Sequence, residues 1–280
     1  MTMAVAVVTD STAGLSAELA AVSGIRVVPL RVVLGGRTAD EGAAAVAEVA
    51  AVLRAGGRVG TASPAPEAFA AAYAAAAAGG AKSVVSVHLS ARLSGTLNSA
   101  SLAAGSAPVP VRLVDSQSIG MGLGIAVLTA ATVAQAGADA DAVAAAAASR
   151  AARLRSIFAL DAPGYLRAGG RLEPTPALPE GGLTARPLLH VRDGRIVLLE
   201  KARTSAGAIA RLADLAAEFA ADQPVDLAVQ YVGDADRAAA FAGRLSRRVP
   251  GVRHRYLAAA GAVICAHTGP GMLGVVVAPY

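Results

Sequence analysis

Ser83-Val84-Val85-Ser86-Val87-His88-Leu89-Ser90-Ala91-Arg92-Leu93-Ser94-Gly95-Thr96-Leu97-Asn98-Ser99-Ala100 reads as an apolar strand running directly into a helix. The run from Ser83 to Leu89 has the length and β-branched content of a buried strand, and the small residues from Leu97 to Gly105 read as a helix. Ser90, Ser94 and Thr96 therefore crowd one strand-to-helix junction. The first N–H groups of a helix have no partner within it and carry partial positive charge. Hydroxyls beside them suit a carboxylate, a phosphate or a carbonyl oxygen. Ser and Thr at such a junction serve equally as N-caps, so the stretch alone leaves both readings open.

Working outward, the same pattern repeats. Ala4–Val8 is a strand followed at once by Thr9-Asp10-Ser11-Thr12, where Asp10 or Ser11 can cap a helix over Ser16–Val22. Ile25–Leu34 reads as a second strand turned by Gly35-Gly36. A helix over Ala43–Arg54 leads into Gly56–Pro64, a loop that carries Thr61 and Ser63 ahead of a helix over Pro64–Ala78. Val111–Val114 is a strand ending in Asp115-Ser116-Gln117-Ser118, and helices follow over Gly120–Ala136 and Ala138–Arg153. Alternating strands and helices predict a parallel sheet covered by helices. In such sheets ligands bind beyond the carboxyl ends of the strands. The pattern puts Asp10-Ser11-Thr12, Thr61, Ser90, Ser94, Thr96 and Asp115-Ser116 along one edge, and this convergence argues for a site.

The second half reads as α+β. A short strand over Ser156–Asp161 precedes a helix over Ala162–Leu172, and Pro174–Pro187 is loop-like. Leu188–Arg192 and Arg195–Glu200 form a hairpin around Asp193-Gly194. Then come a helix over Ser205–Asp222, a strand over Val225–Val232, a helix over Ala235–Val249, and strands near His254–Tyr256 and Gly274–Ala278. The expected division is 1–155 for an N-terminal α/β domain and 156–280 for a C-terminal α+β domain. Before the last strand, His267-Thr268-Gly269-Pro270-Gly271 sets a histidine in a glycine-rich turn. A structural and a ligand-contacting histidine both fit that turn.

Composition narrows the class. At 280 residues the chain can bury two cores, packed from Ala, Val and Leu because Trp is absent and aromatics make up 3%. No run has the length and hydropathy of a membrane span, Met1–Val5 lacks the basic region of a signal peptide, and one cysteine excludes an intrachain disulfide framework. The expected location is the cytoplasm. The formal charge is +5, with arginines spread along the chain and densest from Arg244 to Arg255. That spread, without interleaved aromatics, argues against nucleic acid; a solvated face or transient contact with an acidic partner or anionic lipid surface fits better.

Reaction signatures are missing. No Gly-x-x-x-x-Gly-Lys-Ser/Thr loop occurs, Gly120-Met121-Gly122-Leu123-Gly124 lacks the third glycine of a dinucleotide fingerprint, and Ser94 lies outside Gly-x-Ser-x-Gly. Cys265-Ala266-His267 has no further ligands at zinc spacing, and Cys265 reads as packed in a strand. No cofactor and no metal are expected. A polar site without reaction machinery points to binding.

At the level of motifs, the chain resembles the DegV family, bacterial fatty-acid-binding proteins that act as carrier subunits of fatty acid kinase. The resemblance runs through Val8-Thr9-Asp10-Ser11-Thr12, Leu93-Ser94-Gly95-Thr96, Val114-Asp115-Ser116, Gly169-Gly170-Arg171, Arg186-Pro187-Leu188-Leu189 and His267-Thr268-Gly269-Pro270-Gly271, in that order. It implies a lipid tunnel between the two domains, with the carboxyl group held by Thr61, Ser94 and His267 and with Arg171 close by. It also implies a long-chain fatty acid as ligand and an ATP-dependent kinase acting in trans. Lys201 and Arg203 match a basic pair common in the family and become candidate kinase contacts. The chain departs from the family where Thr61-Ala62-Ser63-Pro64-Ala65 stands for Thr-Ser-Gln-Pro-Ser, where Ser90-Ala91 stands for two serines, and at Arg186, where lysine is common. The competing reading is a serine hydrolase or acyltransferase with Ser94 as nucleophile and His267 as base.

Overall fold

The computed structural model describes residues 4–42, 45–175 and 186–280. In chain order its elements are β1 (Val5–Asp10), a 3-10 turn (Ser11–Ala13), α1 (Ala17–Val22), β2 (Ile25–Val28), β3 (Arg31–Leu34), β4 (Arg37–Asp40), α2 (Val46–Arg54) and β5 (Val59–Ala62). Next come α3 (Pro66–Ala78), β6 (Ser83–His88), α4 (Thr96–Ala104), β7 (Val111–Asp115), α5 (Met121–Gln135) and α6 (Ala140–Arg153). The remainder is β8 (Arg155–Ala159), α7 (Gly164–Ala168), β9 (Arg186–Arg192), β10 (Arg195–Ala202), α8 (Ser205–Ala220), β11 (Val225–Tyr231), α9 (Ala235–Arg248), β12 (Val252–Ala259), α10 (Ala262–Thr268) and β13 (Leu273–Pro279).

The expected parallel sheet has the order β2-β1-β6-β7. Val7 pairs with both Ile25 and Val85, so the apolar runs register centre to centre. Helices α3 and α4 pack on one face through Phe69, Tyr73 and Ala100, and α5 and α6 on the other through Leu123, Val127 and Val143. The first two turns of α5, Met121–Val127, are apolar all round because they are covered on all sides: Met121 and Ile125 turn to the second sheet, against Val276 and Ala228. Its glycines serve this packing. A Cβ on Gly124 would lie 2.3 Å from the Ala13 carbonyl, so only glycine admits the 3-10 turn there.

The second sheet has six strands in the order β10-β9-β8-β13-β11-β12. Among the strands of the described residues β11 and β12 pair in parallel, joined by α9, and the other neighbours in this sheet are antiparallel. Its hairpin turns at Asp193 and Gly194, both at positive φ, as the Asp-Gly signal predicts. Helices α8 and α9 cover one face.

Several local expectations need correction. Ile25–Leu34 is two strands, because Pro29 interrupts the ladder; β2 stays in the parallel sheet and β3 enters a three-stranded sheet, β4-β3-β5. Thr61 therefore stands on β5 of that sheet and not at an edge of the parallel one. Ser16 caps α1, accepting from Leu19 N, while Asp10 caps the 3-10 turn. Cys265 is buried in α10, a helix and not a strand. Helix α2 begins at Val46, and Ala43, Met1–Met3 and most of the loop expected over Pro174–Pro187 lie outside the described residues. Val32, Leu34, Val49 and Leu53 share a core with Phe158, Leu160, Val263 and Ile264, so the three-stranded sheet and α2 pack with the second sheet.

Candidate functional site

Between the sheets lies a cavity whose empty space, with the open solvent at its mouth counted in, is about 860 Å³. Its walls are mostly apolar, with Leu30, Leu93, Ile119, Phe158, Ile196 and Met272 among them. At the mouth, where Ala62 and Gly95 are exposed, polar side chains converge from three elements. Strand β5 supplies Thr61, the β6–α4 loop supplies Ser94, and α10 supplies His267. Thr61 Oγ1 and His267 Nε2 share a hydrogen bond of 2.8 Å. Ser94 Oγ lies 3.1 Å from Ser63 Oγ and 2.9 Å from Thr96 Oγ1, and it accepts from Thr96 N at 3.3 Å.

Each element is held by polar ties behind the cluster. Buried Asp10, at the end of β1, accepts from Leu89 N and from Thr12 N and Oγ1, and it hydrogen bonds with His88 Nδ1. His88 Nε2 meets Ser86 Oγ at 2.7 Å, and Tyr73 donates to Ser86. Asp10, His88 and Ser86 have the connectivity of a catalytic triad, but all three are fully buried. Their product is a fixed start for the loop carrying Ser94. Ser90 donates to Gly194 O at 2.7 Å, tying that loop to the β9–β10 turn. Buried Glu41 accepts from Val263 N at the start of α10 and from Ser11 Oγ, which in turn accepts from Leu30 N. Desolvation raises the Glu41 pKa.

The glycines and arginine of Gly169-Gly170-Arg171 have a local reason. A Cβ on Gly169 would lie 2.5 Å from His267 Nδ1, so glycine lets the turn after α7 reach the imidazole. Arg171 then folds back, its Nη1 donating to Gly169 O and its Nε to Leu93 O at 3.3 Å, beside Ser94. Burial, and after it the Arg171 charge, hold the His267 imidazole down to about 4. It is neutral at pH 7 and offers hydrogen bonds without charge.

Of the residues expected from sequence, Thr61, Ser94, His267 and Arg171 line the cavity together. Ser90 does not: its hydroxyl is buried and spent on Gly194. Thr96 is also buried and stands behind Ser94. Lys201 and Arg203 are exposed at and just beyond the end of β10, on the order of 20 Å along the chain from Ile196 in the cavity wall. Ser63, read from the sequence only as a hydroxyl of the same loop as Thr61, lies just past the end of β5 and joins the cluster through Ser94. Gln230 and Ser156, also in the wall, were missed for lack of any motif.

The hydrolase geometry is not formed. His267 Nε2 faces Thr61 and not Ser94, and among the described residues no carboxylate partners its Nδ1. Among the same residues no group of His, Cys, Asp and Glu could hold a metal ion, and no helix is long and apolar enough to cross a membrane.

Comparison with known proteins agrees along the whole length. The DegV family profile matches residues 4–280. A DegV domain-containing protein of Streptomyces coelicolor is 48% identical over 278 residues, covering 99% of each chain. Among solved structures, a DegV family protein from Thermus thermophilus described as binding fatty acid superposes with a TM-score of 0.92 at 32% identity, over 99% of this chain and 100% of that one. DegV from Bacillus subtilis, described as a fatty acid binding protein, gives 0.90 at 30% identity, with the same coverage.

Proposed function

Because the chain belongs to the DegV family, we propose that it binds a long-chain fatty acid in the cavity between its sheets, with the carboxyl group at Thr61, Ser94 and His267. The observation that carries this reading is the cavity's polarity: an apolar interior with hydroxyls and an imidazole gathered at the mouth. Similar structures described as fatty acid binding support it. The tail supplies the affinity. At ~0.8 kcal/mol per buried CH₂, about fourteen methylenes give roughly 11 kcal/mol gross. Ordering costs of several kcal/mol still leave room for micromolar or tighter binding.

In this reading residues 1–155 and 156–280 are the two units that hold the tunnel, and the protein is a cytoplasmic carrier, not an enzyme. The sequence has no phosphate-binding loop, so acyl-phosphate formation would need an ATP-dependent kinase in trans. A carboxyl group at the mouth is placed for such a partner, and Arg203, with Lys201 beside it, is the candidate contact.

The test is direct. Protein purified without detergent is denatured, extracted and analysed by mass spectrometry. A long-chain acid at near one per chain is expected. Nucleotide alone, or no acid even after incubation with fatty acids, overturns the carrier reading.

A further inference from the structure

The inner wall of the cavity departs from the apolar rule at one place. Strands β8, β13 and β11 run side by side, and their register aligns Phe158, Gly274 and Gln230 in one row across the sheet. Cross-strand neighbours share a face, and so do residues two apart on a strand, so Ser156 lies on the same face as Phe158. Ile157, between them, points the other way into the core under α8 and α9. Phe158, Gln230 and Ser156 all line the cavity.

Ser156 is 1% exposed, and among the described residues its Oγ has no hydrogen-bond partner. A buried hydroxyl left unpaired is costly, and a bare methylene chain beside it does nothing to recover that cost. The same cavity wall carries further polar atoms. Gln230 Oε1 accepts from Met121 N at the start of α5, which fixes the amide and leaves its NH₂ as a donor pair. A Cβ on Gly274 would lie 3.0 Å from Phe158 Cβ and 3.2 Å from Gln230 Nε2, so the glycine lets the Gln230 side chain lie across the sheet toward Phe158. Gly120, at the N-terminus of α5, also lines the cavity, and the positive end of that helix favours an oxygen.

We propose that Ser156, Gln230 and the start of α5 form a second polar subsite, which selects acyl chains bearing a hydroxyl or oxo oxygen along the tail. The inference rests on the fatty acid reading and narrows its substrate class. The Ser156 hydroxyl donates to the tail oxygen or accepts from a tail hydroxyl, and the Gln230 amide donates to the same oxygen. A site with polar groups awaiting a partner discriminates against the chain that lacks it, whereas a plain apolar pocket only weakly rejects an added hydroxyl.

The experiment measures binding of stearate and of a positional series of monohydroxyoctadecanoic acids to wild type and to Ser156→Ala. This substitution removes only an unpaired hydroxyl, so folding is retained, as circular dichroism would verify. Wild type is expected to bind at least one positional isomer about tenfold tighter than stearate, the worth of one recovered hydrogen bond. In Ser156→Ala that preference should vanish, with stearate binding unchanged or tighter. If stearate binds and no isomer surpasses it, or if the preference survives in the variant, the subsite is overturned while the carrier reading stands. If no acid binds wild type at all, both are overturned.

Discussion

His267 makes the stability of this protein depend on pH in a way that can be worked from its surroundings. Burial first, and then the Arg171 charge, lower its pKa from 6.5 to about 4. In the unfolded chain the imidazole takes up a proton near 6.5; in the folded protein it resists until about 4. Below 6.5 the unfolded state therefore binds more protons, and stability is lost as pH falls through that window. At about 1.4 kcal/mol for each tenfold change in proton affinity, the loss reaches at most about 3 kcal/mol. His267→Gln keeps a hydrogen-bonding group for Thr61 and removes the titration. Urea denaturation of both proteins between pH 7 and pH 4 should show wild type losing about 3 kcal/mol more than the variant. Glu41, whose raised pKa acts in the opposite sense, is common to both and cancels in the difference. Parallel stability curves would refute the burial argument. The same geometry predicts linkage to ligand: a carboxylate beside the imidazole favours its charged form, so binding near pH 5 should take up a proton. Calorimetry in buffers of different ionisation enthalpy would detect the uptake in wild type and its absence in His267→Gln.

Ser94→Ala should weaken fatty acid binding by ~1–3 kcal/mol, the usual loss for a hydrogen bond to a charged group, and wild type should resist a fluorophosphonate probe, since no base faces Ser94. Labelling confined to Ser94 would restore the hydrolase reading. Asp10→Ala strips the partners from buried Leu89 N, Thr12 N and His88; a loss of roughly 3–5 kcal/mol in denaturation is expected, and a change within about 1 kcal/mol would show that the network carries little of the fold. Arg203→Ala should leave fatty acid binding intact and lower acyl-phosphate formation when the protein is mixed with a partner kinase. Loss of lipid binding, or undiminished turnover, would each show that Arg203 has another role.

The parallel sheet was legible because its strands are short apolar runs separated by capped helices, a pattern with few alternative solutions. The three-stranded sheet was not. Strands β4 and β5 are four residues each, contain glycine or charge, and bury little, so neither period nor composition marks them. Helix α10 misled for the opposite reason. Val263, Ile264 and Cys265 are buried on every side, and a segment that is apolar all round has no periodicity to separate helix from strand. At the site, hydroxyls near strand ends were visible as residues, but their roles depend on a third dimension. Ser90, Ser94 and Thr96 sit within seven positions of one another, yet only Ser94 reaches the cavity, because the turn hands the first to Gly194 and buries the last.

That division of labour bears on how a carboxyl group could be held and still released. Ser94 Oγ accepts from Thr96 N, and Thr96 Oγ1 stands 2.9 Å away, where either hydroxyl can donate to the other. When Thr96 donates from behind, the O–H of Ser94 can turn forward, to Ser63 or to a ligand oxygen in its place. Exchanging one acceptor for the other needs only rotation of a hydroxyl. Thr61 has the same latitude against His267. Arg171, the charged group of the cluster, has donors engaged with Leu93 O and Gly169 O, so it is anchored to the loops and gives field more than a bidentate clamp. A bidentate pair would make removal of the carboxyl group expensive, since it strands a buried charge. Rotating hydroxyls and a neutral imidazole avoid that penalty, which is what the proposed presentation of the ligand to a second protein would require.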